Sequence, residues 1–132
     1  MTSGEILFYR NFPYSDGGVP TDKLLIVLNT PQNDSPYLVV KTTKQKKSKS
    51  DRQGCHSQKG YFVFKSYDDF FKEDSTWVLF DQIIELNAAE FLTWSLKKGV
   101  QSRAQLKAIN FKALINCIKS CPDVSKLHKS LL

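Results

Sequence analysis

A chain of 132 residues with 41% hydrophobic and 24% charged residues reads as one domain, 1–132, long enough to bury a core without metals or cross-links. No run approaches the roughly 20 apolar residues that a bilayer-spanning helix needs, and MTSGEILFY lacks the basic start and apolar core of a signal peptide; a soluble, cytoplasmic protein without membrane contact is expected. The formal net charge of +6 is local: Lys41 to Gly60 holds seven basic residues against one acid, Asp51, and the rest of the chain balances.

In chain order, Gly4 to Phe12 and Lys23 to Asn29 are strand-like, rich in Ile, Leu, Val, Phe and Tyr. Between them Pro13, Ser15, Asp16, Gly17, Gly18 and Pro20 spell a loop too long for a tight hairpin, expected as a surface lobe that helps to bind a partner. After the turn signal PQNDSP at Pro31 to Pro36, YLVVKTT at Tyr37 to Thr43 is a third strand. Lys44 to Lys59 has no periodicity and almost nothing apolar, which predicts a long, basic, flexible loop. Gly60 to Lys65 returns to strand, and Ser66 to Asp74 is either one helical turn or a turn between strands.

Thr76 to Phe80 and Gln82 to Leu86 read as two strands, or as one strand bent near Asp81. Asn87 and Glu90 have capping-box spacing, and Ala88, Phe91, Leu92, Ser95 and Leu96 recur at helical intervals, predicting a helix from Ala88 to Lys98 closed by Gly99. Ser102 and Gln105 predict a second capping box, opening a helix that Pro122 ends. On it Leu106, Ile109, Ala113 and Cys117 form a stripe that Phe111, Leu114, Ile115 and Ile118 broaden, so a second covering surface is expected, from the other helix or from a homodimer. Strands first and helices last predict a mainly β, α+β fold: a small antiparallel barrel or curled sheet with helices at one end.

Cys55, Cys117 and Cys121 are odd in number with no CxxC pair, which predicts free thiols in a reducing compartment. His56 and His128 stand in no metal-ligand spacing, and phosphate-cradling or nucleophile-elbow motifs are missing; neither a metal nor a cofactor is expected. Two readings remain for the charge: a solvated lysine-rich loop, or a cationic stretch that attracts phosphate backbones. Lys23, Thr42 and Thr43 lie where a cation and hydroxyls could bind a phosphate if the first three strands are neighbours, with Ser15 and Asp16 in the lobe beside them.

The run GEILFYRNFPYSDGG, KLLIVLNT, YLVVKTTKQ and TWVLFDQIIEL, in that order before a C-terminal helix, resembles the MazF/PemK/Kid toxins of type II toxin–antitoxin systems. The resemblance rests on Gly4-Glu5-Ile6, the turn from Phe12 to Gly17, Ile26 to Leu28, Thr42-Thr43 and Asp81-Gln82, and it implies an SH3-like barrel with added helices. It further implies a homodimeric, metal-independent endoribonuclease, an mRNA interferase whose substrate's 2′-hydroxyl attacks the adjacent phosphate, and an acidic antitoxin partner in the same groove. By position Lys23 stands where the family has the Arg of an Arg-Pro pair, and Thr42 matches its catalytic Thr; Lys23-Leu24 departs from that pair, and a lysine lacks the fork of a guanidinium.

The expectation is therefore single-stranded RNA cleavage with Lys23 and Thr42 as catalytic residues. Ser15, Asp16, Lys41, Thr43, Lys44, Lys46, Lys47, Lys49, Arg52, His56 and Lys59 would hold the RNA. The alternatives are a barrel of the same fold that binds nucleic acid, RNA or DNA, without cleaving it, and one that binds a protein.

Overall fold

Seven strands and three helices form among residues 2–13 and 18–132, the residues that this computed structural model describes. They are β1 (Glu5–Phe12), β2 (Thr21–Val27), β3 (Tyr37–Thr43), β4 (Gly54–His56), β5 (Tyr61–Lys65), β6 (Ser75–Leu86), α1 (Ala88–Lys97), β7 (Gln101–Gln105), α2 (Ala108–Ser120) and α3 (Lys126–Ser130). The strands make one antiparallel sheet in the order β4-β5-β6-β3-β2-β1-β7. The fold is mainly β, as expected; the sheet is open, with β4 and β7 at its edges.

Helices cover both faces of this sheet, which is why its central strands read as unbroken apolar runs rather than as alternation. On one face Ile6, Ile26, Leu38, Val40, Val78 and Phe80 pack under Leu114, Cys117 and Ile118 of α2. On the other, Leu7, Leu25, Val27, Val39 and Leu86 pack with Phe91 and Trp94 of α1. Most of these sheet side chains have no exposed surface, and each contributes roughly 1.5–3 kcal/mol by leaving water.

Local signals are accurate at α1. Asn87 accepts from the Glu90 amide at 2.8 Å and Glu90 returns the bond to the Asn87 amide at 3.0 Å, the expected capping box. Gly99 follows the helix at φ +65°, a conformation that glycine adopts without a Cβ penalty. Only Phe91 is buried on this helix, and Leu92 and Leu96 of the expected stripe are exposed.

The second expected capping box is overturned. Ser102 and Gln105 lie in β7, which pairs with β1 through Ile6–Ala104 and Leu7–Ser102. The pairing brings together residues far apart in the chain, which cap spacing does not encode. Gly4 sits at this joint at φ +87°: its carbonyl accepts from the Leu106 amide at 2.9 Å, and a Cβ would meet Gln105 Nε2 at 2.5 Å. The helix starts later, at Ala108, with no cap from its own N-terminal side chain. Asp69, from the loop between β5 and β6, supplies the missing acceptor: its carboxylate takes the Lys107 amide at 2.9 Å and Asn110 Nδ2 at 2.8 Å.

The breadth assigned to that helix is also corrected, because Ile109 and Ala113 face outward. The buried residues Leu114, Cys117 and Ile118 form an ordinary one-sided stripe, which the sheet alone covers. The runs around Asp81 are one long strand, β6, irregular where Lys41 pairs with Leu79 but Val39 pairs with Ile84. Ser66 to Asp74 holds no helix; it is a turn segment with Phe71 buried.

The cysteine expectation fails as well. Cys55 of β4 and Cys117 of α2 form a disulfide, and Cys121 is a buried free thiol. The bridged residues are 62 apart in sequence, and only the packing of α2 against β4 makes them neighbours.

Candidate nucleic-acid interface

Strand alternation decides where the basic side chains go. Leu25 pairs with Lys41 and Ile26 with Val40, so Lys23, Leu25, Lys41 and Thr43 leave the backbone on the α1 face. Leu24, Ile26, Val40 and Thr42 leave it on the α2 face. Across the next ladder Lys41 pairs with Leu79 and Thr43 with Trp77, and cross-strand partners share a face. Tyr61, Val63 and Trp77, with Leu79 beside them, thus form an apolar patch on the α1 side, next to Lys41 and Thr43.

Lysines gather around that patch. The Lys49 ammonium lies 5.6 Å from the centre of the Trp77 ring, a cation–π contact. The Lys41 ammonium donates to Gln82 Oε1 at 3.4 Å. Burial and the neighbouring Lys47 hold the Lys49 pKa below its ordinary value; Asp81 opposes them, and Lys23 adds to the lowering. Lys47 and Lys23 are therefore each close enough to repel Lys49, and an anion beside Lys49 would relieve that repulsion.

Lys23 and Thr42 do meet, but not side chain to side chain. The Lys23 ammonium donates to the Thr42 backbone carbonyl at 3.2 Å. The Thr42 hydroxyl donates to the Leu24 carbonyl at 2.7 Å, and the residue is 4% exposed. A cavity of about 700 Å³ opens beside them, with Phe8, Leu24, Thr42, Phe70, Phe71 and Thr76 in its wall and Lys23 at its border. Its size is that of small-molecule sites.

The rest of the basic segment makes hydrogen bonds to the sheet and to the loop between β5 and β6. Trp77 Nε1 donates to the Ser50 carbonyl at 2.7 Å, and the Ser50 amide donates to the Tyr61 hydroxyl at 2.9 Å. The Lys65 ammonium donates to the Asp51 carbonyl at 3.1 Å, and Gln53 Nε2 donates to the Asp68 carboxylate. His56 lies in β4, its Nε2 donating to the Arg52 carbonyl at 2.8 Å and its ring stacked on Tyr61 at 4.8 Å. These contacts give His56 a structural task.

Thr43 accepts the Gln45 amide at 3.2 Å, and Lys44 and Lys46 make exposed ion pairs at 3.9 Å with Glu73 and Asp51. Such pairs contribute about 0–1 kcal/mol and leave both lysines able to exchange partners. Lys47, Arg52 and Lys59 are exposed. Ser15 and Asp16, with the lobe expected around them, lie outside the described residues. No cluster of three or more metal-ligating side chains occurs among the described residues, and no helix among them is long and apolar enough to cross a membrane.

The residues that sequence reasoning missed are Trp77, Tyr61, Asp81 and Gln82. The first two build the patch under Lys49 and anchor Ser50, and the other two meet the lysines. The signal that could have found them is pairing: with Thr43 opposite Trp77, an aromatic ring had to stand beside the lysine run.

In comparisons with known proteins, no family model, curated protein or solved structure matches this chain.

Proposed function

We propose that the protein binds single-stranded RNA, with the phosphate backbone against Lys23, Lys41, Lys47 and Lys49 around the buried Trp77. One observation carries this reading: Lys49 lies half-buried over Trp77 next to Lys41 on the same sheet face, with Lys47 and Lys23 close enough to disfavour its charge. A polyanion relieves that repulsion and releases counterions, whatever its base sequence.

RNA cleavage is the narrower part of the proposal and rests on the resemblance to MazF/PemK/Kid toxins. Lys23 is cationic beside the Thr42 carbonyl, which supports a phosphate at that place. The buried Thr42 hydroxyl is engaged with Leu24, which favours binding over catalysis by that group. An SH3-like barrel, a homodimer and an acidic antitoxin-like partner belong to the same resemblance; on α1, Leu92 and Leu96 are exposed apolar side chains that a second chain would cover.

Incubation of the protein with labelled oligouridylate in chelator tests both parts. Retention of RNA on the protein without new ends is the expected result. A 2′,3′-cyclic phosphate and a 5′-hydroxyl end would instead establish cleavage, and preference for single-stranded DNA or absence of any binding would contradict the RNA reading.

A further inference from the structure

We propose that the Cys55–Cys117 disulfide is a reversible clamp that seats the basic segment, so that its reduction weakens RNA binding; this regulation rests on the RNA-binding reading above. The clamp holds a weak unit. Strand β4 has three residues and pairs with β5 alone, at the edge of the sheet. Such a short edge strand has little stability of its own. Cys117 belongs to the buried side of α2, so the bridge fastens the end of the basic segment to the core. Between Lys49 and the bridge, hydrogen bonds at Ser50, Asp51, Arg52 and Gln53 fix the segment to β4, β5, β6 and the loop between β5 and β6.

The two sulfurs differ in access: Cys55 is exposed and Cys117 is 3% exposed. A dithiol reductant supplies the two electrons. Its thiolate attacks the Cys55 sulfur, the S–S bond breaks, and Cys117 leaves as a thiolate that takes up a proton. The reductant's second thiol then closes its own disulfide and releases Cys55. Freed of the bridge, the segment keeps Lys49 over Trp77 through the Ser50 hydrogen bonds alone, and RNA must complete the ordering of that lysine as it binds.

The experiment uses the full chain with and without dithiothreitol under native conditions, beside Cys55→Ser, and reads two quantities. One is the rate of tryptic cleavage at Lys46, Lys47, Lys49 and Arg52; the other is affinity for labelled oligouridylate. Reduction is expected to speed cleavage several-fold and to weaken binding roughly fivefold, the cost of ordering about one long side chain. Cys55→Ser should behave as the reduced protein in both buffers; if it fails to fold, the reduction arm decides alone. Equal cleavage rates in the two redox states would overturn the clamp. Faster cleavage at unchanged affinity would overturn the regulation while the RNA reading stands, and absence of RNA binding in both states would remove that reading and the regulation with it.

Discussion

Lys23 and Thr42 are joined through the backbone: the ammonium of one donates to the carbonyl of the other at 3.2 Å, while the Thr42 hydroxyl turns to Leu24 on the α2 side of the sheet. The pair sits on adjacent strands, but alternation sends its side chains from opposite faces. On the proposed RNA-binding reading, phosphate falls to Lys23 and the lysines of its own face, while the buried Thr42 hydroxyl is engaged with Leu24.

Thr42→Val tests that division. It removes one hydrogen bond from a nearly fully buried site and should cost about 1 kcal/mol of stability, measured by chemical denaturation, while RNA affinity stays within twofold. A large loss of affinity or of any RNA-cleaving activity, with stability intact, would return Thr42 to the site.

Lys49 should make binding pH-dependent. Its folded pKa is lowered, so the folded chain sheds this proton before the unfolded chain does. Between the lowered value and the ordinary lysine value the unfolded state binds more protons, and the contribution of Lys49 to stability rises with pH. RNA affinity moves the opposite way, because phosphate favours the charged form. Affinity measured by fluorescence anisotropy should begin to fall below the ordinary lysine range, and Lys49→Arg should remove that early fall.

Cys55→Ser should lower global stability by about 4 kcal/mol, the loop-closure contribution of a bridge between residues 62 apart. Denaturation of the two proteins without reductant measures it, and equal midpoints would mean that the bridge constrains nothing.

Asp69→Ala removes the acceptor that closes the N-terminus of α2 from outside the helix. A loss of about 1–2 kcal/mol is expected, with hydrogen exchange rising first at Lys107 to Phe111. Asp69→Asn should recover part of it, since an amide oxygen still accepts.

How much was legible follows the distance between interacting residues. The Asn87–Glu90 box, the strand Tyr37–Thr43 and the stop at Pro122 are local and were read from spacing and composition. Ser102 and Gln105 have the same spacing as a true box, yet β1 claimed them for pairing, and a motif of two residues cannot exclude that. The disulfide, the Asp69 cap and the Trp77 seat all join segments whose approach is set by the sheet order. The gathering of charge in Lys41 to Gly60 was plain from the sequence, but its assignment to one face needed the register of β2 on β3 and β3 on β6.

The most direct test is the salt dependence of oligouridylate binding for the wild-type protein and for Lys23→Ala/Lys49→Ala. Four lysines on single-stranded RNA give a slope of log affinity on log salt of about −3, and removing two should make it shallower by about 1.4. A slope near zero, or one that the double substitution leaves unchanged, would contradict the assignment of this sheet face to RNA.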